Sequence, residues 1–390
     1  MTGNVFIEVD HFQRAKHGQV AYGDVFLSRK LKEENRTVSV LSDGLGSGIK
    51  ASVLATLTAT MGVKYAAQFV DVRKSAEIIM DTLPVCKVRK ISYSTFTIVD
   101  VASDGLARII EHGNPPAMLL RGATALRLSP QTINLERWHD RPIAYAECRL
   151  REGDRIVCCS DGVTQSGMGA RAFPLGWGEE AVTAHARELL RVDPEISARR
   201  LAQALVERAV KNDGGRPKDD TSCAVIHFRR PRRLLVLTGP PFNKDRDAEL
   251  AELAQSFPGR KAICGGTTAS IVSRRLNRPV RVLLENLDAD IPPASKMEGV
   301  DLITEGTLTL GRVAELLEAG AADLPANAAG RLLELMLESD QIDFVVGTRI
   351  NEAHQDPNIP VELELRGTLV KRIARLLEEK HLKETRLRRI

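Results

Sequence analysis

Two apolar runs, far apart in the chain, end in the same three residues. Val38-Ser39-Val40-Leu41 leads into Ser42-Asp43-Gly44, and Ile156-Val157-Cys158-Cys159 leads into Ser160-Asp161-Gly162. Each run has the length and β-branched content of a buried strand. Each therefore presents a carboxylate where the strand stops, on a glycine that permits a sharp turn. Similar runs predict strands at residues 5–9, at 25–28 after Gly23-Asp24, and at 222–228 after Asp219-Asp220-Thr221. Residues 94–101 and 106–111 flank Ser103-Asp104-Gly105 as a hairpin, which makes Asp104 a turn residue. Helical spacing predicts helices over 49–68, with Val53, Leu57, Met61 and 63–65 as the apolar face, over 72–83, and in the stretch 179–211. After Pro231-Arg232-Arg233 the pattern changes. Predicted strands at 234–237, 261–264, 280–284 and 343–346 alternate with helices at 247–256, 267–276, 311–317, 329–337 and 368–379. That alternation indicates an α/β layer with a largely parallel sheet. Two domains are expected, 1–230 and 231–390.

The acidic positions of the first domain carry its chemistry. Asp24, Asp43, Asp161 and the pair Asp219-Asp220 all fall at predicted strand edges. Carboxylates aimed at one point suit hard cations, which take oxygen ligands. The ordered set Gly23-Asp24, Asp43-Gly44-Leu45-Gly46-Ser47-Gly48, Ser160-Asp161-Gly162 and Asp219-Asp220-Thr221 resembles the PPM family of metal-dependent serine/threonine protein phosphatases. Within it the chain is most similar to the stage II sporulation protein E branch, which Gly113-Asn114-Pro115-Pro116 before an apolar strand supports. The match spans roughly residues 5–228.

The resemblance implies an α+β phosphatase fold, two packed β-sheets flanked by helices, followed here by a smaller α/β domain. It implies hydrolysis of phosphoserine or phosphothreonine on a partner protein in bacterial-type signalling, with two Mn²⁺ or Mg²⁺ ions. Asp43, Asp161 and Asp219 would be the catalytic, metal-holding residues. Asp43 would bridge both ions, the Gly44 carbonyl would be a further ligand, and Asp24 would act directly or through water. Whether Asp219 or Asp220 is the direct ligand stays open. Arg14, Lys16 and His17 are either phosphate-holding groups or a solvated connection. In this branch the helices of residues 49–83 are a place where regulators act.

Rival chemistry is thin. Gly44-x-Gly46-x-Gly48 has neither dinucleotide nor P-loop spacing. Cys223-x5-Arg229 has the spacing of a cysteine-dependent phosphatase, but its interior is a strand with no glycine to wrap amides around a phosphate. The apolar share of 43% and charged share of 27% are those of a soluble globular chain. A formal charge of +4 argues against a dedicated nucleic-acid binder. The six cysteines form no Cys-x-x-Cys and read as buried, reduced thiols. No apolar run approaches the roughly 20 residues of a membrane span, and the start lacks a secretory pattern, so a cytoplasmic location is expected. The basic run Lys383, Arg386, Arg388, Arg389 reads as a solvated helix end.

In the second domain, small polar loops follow the strands: Thr238-Gly239-Pro240-Pro241, Gly265-Gly266-Thr267-Thr268, Thr304-Glu305-Gly306-Thr307 and Gly347-Thr348. They are either helix caps or a small-molecule site at the carboxyl ends of the strands, which would make this domain ligand-sensing or regulatory. The alternative for the whole chain is a non-catalytic module that binds a protein partner and a small ligand. A nucleotide-dependent enzyme in the second half lacks a recognisable phosphate loop.

Overall fold

The computed structural model describes residues 5–46, 48–68, 72–82, 94–134, 143–285, 288–320, 324–349 and 359–390. The chain divides into two units, Met1–Arg230 and Pro231–Ile390. Leu83, at the end of the second expected helix, and Ser47 lie outside the described residues.

The first unit runs β1 (Phe6–Arg14), β2 (Asp24–Leu31), β3 (Arg36–Gly44), α1 (Ile49–Ala67), α2 (Val72–Thr82), β4 (Ser94–Ala102), β5 (Leu106–His112), β6 (Met118–Arg121), β7 (Thr124–Leu126), β8 (Gln131–Ile133), β9 (Ile143–Arg149), β10 (Asp154–Cys159), α3 (Asp161–Thr164), α4 (Glu179–Val192), α5 (Ala198–Asn212) and β11 (Thr221–Arg229). Among the described residues these strands form two sheets, β1-β11-β10-β6-β7 and β2-β3-β4-β5-β9-β8. Side chains alternate between the faces of each sheet. On the first sheet Val157, Cys159, Cys223 and Val225 pack with α4 and α5. On the second, Val38, Val40, Phe96 and Ile98 pack with α1 and α2. The opposite faces bury Ile156, Ile226 and Phe228 on one sheet and Val99, Val101 and Ile109 on the other. Two packed sheets flanked by helices result.

Three details depart from the expected pattern. β1 extends through His11 to Arg14, because its partner β11 pairs with it along the whole length. The stretch 179–211 is two helices, since Pro194 interrupts it and Ser197 caps α5 by accepting from the Arg200 amide. On α1, Val53 and Leu57 are exposed, while Ala51, Ala55, Thr58, Ala59, Met61 and Gly62 are buried. Small residues allow the close approach: a methyl group on Gly62 would stand 3.1 Å from Val40 Cγ2.

Beside β11, His227 and Glu8 form a buried polar cluster with Arg229, whose Nε donates to Glu8 Oε2 at 2.7 Å. Burial pushes the His227 pKa down to about 4, assisted by Arg155 and Arg229 and opposed by Glu8. Between that value and the ordinary 6.5 the unfolded chain binds the extra proton. Stability therefore falls as pH drops through this window, by roughly 3 kcal/mol from this residue. Between pH 7 and pH 4 the melting temperature of wild type should therefore fall relative to that of His227→Gln, which lacks this titration.

The second unit runs β12 (Arg233–Thr238), α6 (Asp247–Ser256), β13 (Arg260–Cys264), α7 (Gly266–Leu276), β14 (Arg281–Val282), β15 (Ser295–Met297), β16 (Val300–Thr304), α8 (Thr307–Ala319), α9 (Ala328–Leu337), β17 (Gln341–Val346), α10 (Ile359–His381) and β18 (Glu384–Arg389). Its sheet has the order β14-β15-β16-β13-β12-β17-β18. The strands from β16 to β18 are parallel, with β15 and β14 added antiparallel at one edge. The strand expected at 280–284 shrinks to two exposed residues. The basic run is not a helix end. Arg386, Arg388 and Arg389 lie on β18, an edge strand where charge discourages further pairing. Lys383 is buried, with Nζ donating to the Leu337 carbonyl at 2.7 Å. Among the described residues no helix is long and apolar enough to cross a membrane.

Candidate metal centre

Strand register gathers the carboxylates. β2 and β3 pair antiparallel with Asp24 opposite Asp43, and the Gly44 amide donates to the Gly23 carbonyl at 3.2 Å. On the other sheet β10 and β11 pair with Cys159 opposite Cys223. Ser160-Asp161 and Asp219-Asp220 therefore emerge side by side. The Ser160 amide donates to the Ser222 carbonyl and the Ser222 amide to Ser160 Oγ, both at 3.0 Å. Two glycines allow the approach. A methyl group on Gly162 would lie 2.1 Å from the Asp220 carbonyl oxygen, and one on Gly44 would lie 2.2 Å from the Ala51 carbonyl oxygen.

The acidic groups feel one another. Burial, then the charges of Asp24, Asp161 and Asp219, push the Asp43 pKa up to about 10. Asp43 and Asp161 stand close enough to bias each other's protonation, and Gln165 Nε2 donates to Asp161 Oδ2 at 3.0 Å. Asp24 is buried, and neither carboxylate oxygen has a hydrogen bond of normal geometry. Burial raises its pKa to about 7, with Asp220 and Asp161 adding to the rise, although the Ser222 and Ser160 hydroxyls stand near enough to favour the charged form.

Asp219 and Asp220 differ. Asp220 is buried, and its Oδ1 accepts from the Lys16 amide at 3.1 Å. The Asp219 side chain is about half exposed, with Lys16 Nζ 3.8 Å from its Oδ1. Of the basic residues before β2, only Lys16 has its ammonium placed against these carboxylates among the described contacts. The Arg14 guanidinium lies over the Phe12 ring, 4.6 Å from its centroid, and the His17 amide donates to the Pro217 carbonyl at 2.8 Å.

Other acidic and reactive candidates stay apart. Asp104 is an exposed turn residue accepting from the Leu106 amide at 3.0 Å. The His112 ring packs 5.6 Å from that of Phe96. Cys223 is buried in the core under α5, whereas Arg229 is paired with Glu8. Ser160, Ser222 and Gln165 were missed in the sequence, because their approach depends on cross-strand register. The Ser-Asp-Gly repeat was the one available signal for Ser160.

Does the set fit a divalent ion? The donors are all carboxylates, the chemistry Mg²⁺ and Mn²⁺ select. Asp24 Oδ1 and Oδ2 and Asp220 Oδ2 are buried without a hydrogen bond, so oxygens are available that nothing in the protein satisfies. Among the described residues no group of three or more His, Cys, Asp and Glu side chains stands together so that it could hold an ion by itself. Mg²⁺ commonly keeps several waters and takes only one or two carboxylates. The residues fit that open mode.

Over 58% of this chain and 94% of that one, the structure is similar to the phosphatase domain of the cell fate determinant SpoIIE from Bacillus subtilis, with 17% identity and a TM-score of 0.43. The RsbU and RsbW domains of a Mycobacterium tuberculosis protein match with 18% identity over 65% of this chain and 68% of that one, TM-score 0.48. A serine/threonine phosphatase of S. agalactiae matches with 14% identity over 57% of this chain and 99% of that one, TM-score 0.42. A comparison with curated proteins finds no match. The family model for stage II sporulation protein E (SpoIIE) matches residues 33–229, half of the chain and the segment holding Asp43, Asp161, Asp219 and Asp220. The chain belongs to the stage II sporulation protein E family.

Proposed function

We propose that the first unit hydrolyses phosphoserine or phosphothreonine on a partner protein with the help of two Mn²⁺ or Mg²⁺ ions. The observation that carries this is the convergence of Asp24, Asp43, Asp161 and Asp219 from two sheets, with buried carboxylate oxygens left unsatisfied. Asp43, Asp161 and Asp219 would hold the ions, with the Gly44 carbonyl as a further ligand and Asp24 acting directly or through water. When bound, such ions offset phosphoryl charge and lower the pKa of a water molecule. Gln165 fixes Asp161 by its hydrogen bond. The Lys16 ammonium, partly exposed beside Asp219, sets a positive charge where an incoming phosphoryl group would arrive. Asp220 orders the loop by accepting the Lys16 amide.

The test is Mn²⁺-dependent hydrolysis of a phosphoserine peptide by wild type and Asp161→Ala, with metal content measured alongside. Wild type should be active and metal-loaded, and Asp161→Ala should lose both properties. A wild type that takes up no metal and hydrolyses nothing would sink the proposal.

The Asp219-Asp220 pair gives a second expectation. Asp219→Asn should weaken Mn²⁺ binding about tenfold or more without lowering the melting temperature of the metal-free protein. Asp220→Ala strips a buried amide of its acceptor and should lower that melting temperature, at a cost of about 1–3 kcal/mol. Calorimetric Mn²⁺ titration and thermal melts separate the two roles.

A further inference from the structure

The turn Gly113-Asn114-Pro115-Pro116 joins β5 to β6 and carries none of the clustered carboxylates. It is nevertheless built against the strand end that carries Asp43. Antiparallel pairing of β3 with β4 sets Asp43 opposite Thr95 and Leu41 opposite Thr97. Directly opposed residues share a face of the sheet. These four side chains therefore lie on the face away from α1, which packs on Val40, Phe96 and Ile98.

Each residue of the turn serves one contact. Gly113 has a φ of +76°, and a methyl group on it would stand 2.5 Å from Thr95 Cγ2, so glycine lets the turn close on β4. Pro115 confines the backbone of Asn114 to the extended region. Glu111 closes the far side, its Oε1 accepting from the Ala117 amide at 2.7 Å. The Asn114 side chain is thereby aimed at β3 and β4. Its Nδ2 donates to the Leu41 carbonyl at 3.3 Å and to Thr97 Oγ1 at 3.2 Å. Its Oδ1 accepts from Thr95 Oγ1. One amide ties the β3 backbone to two β4 side chains, over the last residue pairs before the carboxylate. On the opposite face Ser94 Oγ donates to the Asp43 carbonyl and Ser42 Oγ to the Thr95 carbonyl, both at 2.9 Å. The strand end is pinned from both faces.

Physical reasons for such pinning are present. The β3–β4 ladder stops at the Gly44–Ser94 pair, and strand ends open more readily than strand centres. Asp43 also stands among like charges, with Asp24 directly opposite on β2 and Asp161 and Asp219 nearby. Their repulsion favours a splayed strand end. A splayed carboxylate would have to be regathered whenever an ion binds, and that ordering cost weakens affinity. We propose that Asn114 is a positioning residue for Asp43: through Leu41, Thr95 and Thr97 it holds the end of β3, so that the carboxylate is in place before a divalent ion binds. It acts through Asp43, because its amide is committed to the strands. This role rests on the metal-centre reading of the first unit.

The test compares the full chain of wild type with Asn114→Ala, Thr97→Val and Ile109→Val. Ile109 is buried on β5 opposite Val99, so its truncation loosens the same sheet by packing alone. Mn²⁺ is titrated calorimetrically, phosphoserine-peptide hydrolysis is followed at saturating Mn²⁺, and metal-free melts record stability. Asn114→Ala should weaken Mn²⁺ binding about tenfold or more. It should also lower kcat at saturating Mn²⁺ and leave KM for the peptide unchanged. Thr97→Val removes one acceptor and keeps a β-branched residue in the strand, so it should move affinity the same way by less. Ile109→Val should lower the melting temperature and keep the wild-type affinity. Should Asn114→Ala fail to fold, Thr97→Val decides between the same outcomes. Wild-type affinity and kcat in the Asn114 and Thr97 variants, or an equal loss of affinity in Ile109→Val, would overturn the proposal alone. A wild type that binds no Mn²⁺ would overturn it together with the metal-centre reading.

Discussion

Asp43→Asn should raise the melting temperature of the metal-free protein and, on the proposed function, reduce phosphopeptide hydrolysis about a thousandfold. Both effects come from one arrangement. In the metal-free fold Asp43 is buried among Asp24, Asp161 and Asp219, and its pKa rises to about 10. The folded state therefore binds a proton that the unfolded chain releases above the ordinary value of 3.8. Stability of the metal-free protein should accordingly fall as pH rises through this range. Asparagine removes the penalty, and a gain of about 5 °C is expected at neutral pH for a domain of this size. On the proposed reading the same change removes a carboxylate that would hold the cations, so activity should collapse. Thermal melts in chelator from pH 5 to pH 8, beside peptide hydrolysis with Mn²⁺, check both halves. A variant that is both less stable and less active would point to a structural role for Asp43.

Gly162→Ala should damage the carboxylate site without altering any polar group. The added methyl would stand 2.1 Å from the Asp220 carbonyl oxygen and 3.0 Å from its carbon, both backbone atoms. No rotamer relieves such a contact, so the Asp219-Asp220 loop or the start of α3 must move. Overpacking of this kind costs about 1–3 kcal/mol. The displacement also separates Asp161 from Asp219, and small misplacements in a catalytic site cost about a hundredfold. Denaturant melts should show the stability loss. Mn²⁺ titration should show weakened affinity, and alanine at Gly311 on α8, where nothing lies within 4 Å and φ is not positive, serves as the control.

The carboxylates were legible because each follows an apolar run and precedes a turn, so local pattern alone put them at strand ends. Their convergence was legible only through the family resemblance, since pairing of β2 with β3 and β10 with β11 is long-range. Ser160, Ser222 and Gln165 escaped for the same reason: nothing in the local sequence says that Asp24 has two hydroxyls nearby. The Asp219-Asp220 pair could not be divided from sequence, as neighbouring residues differ only in which one the fold buries. α1 misled because its large residues Val53 and Leu57 face outward while alanine and glycine pack on β3. A helix that must approach a sheet closely buries its small residues, so apolar size marks the wrong face. β18 was hidden by its charge: an edge strand of arginines carries little apolar alternation, and only pairing with β17 reveals it.

The most direct test of the metal-centre account is to follow Mn²⁺ binding and phosphoserine-peptide hydrolysis together in chelator-stripped, full-length wild type. The account predicts that both rise over the same range of free Mn²⁺ and that chelator abolishes both. Undiminished hydrolysis in excess chelator, or saturation with Mn²⁺ while every phosphopeptide stays intact, would contradict it.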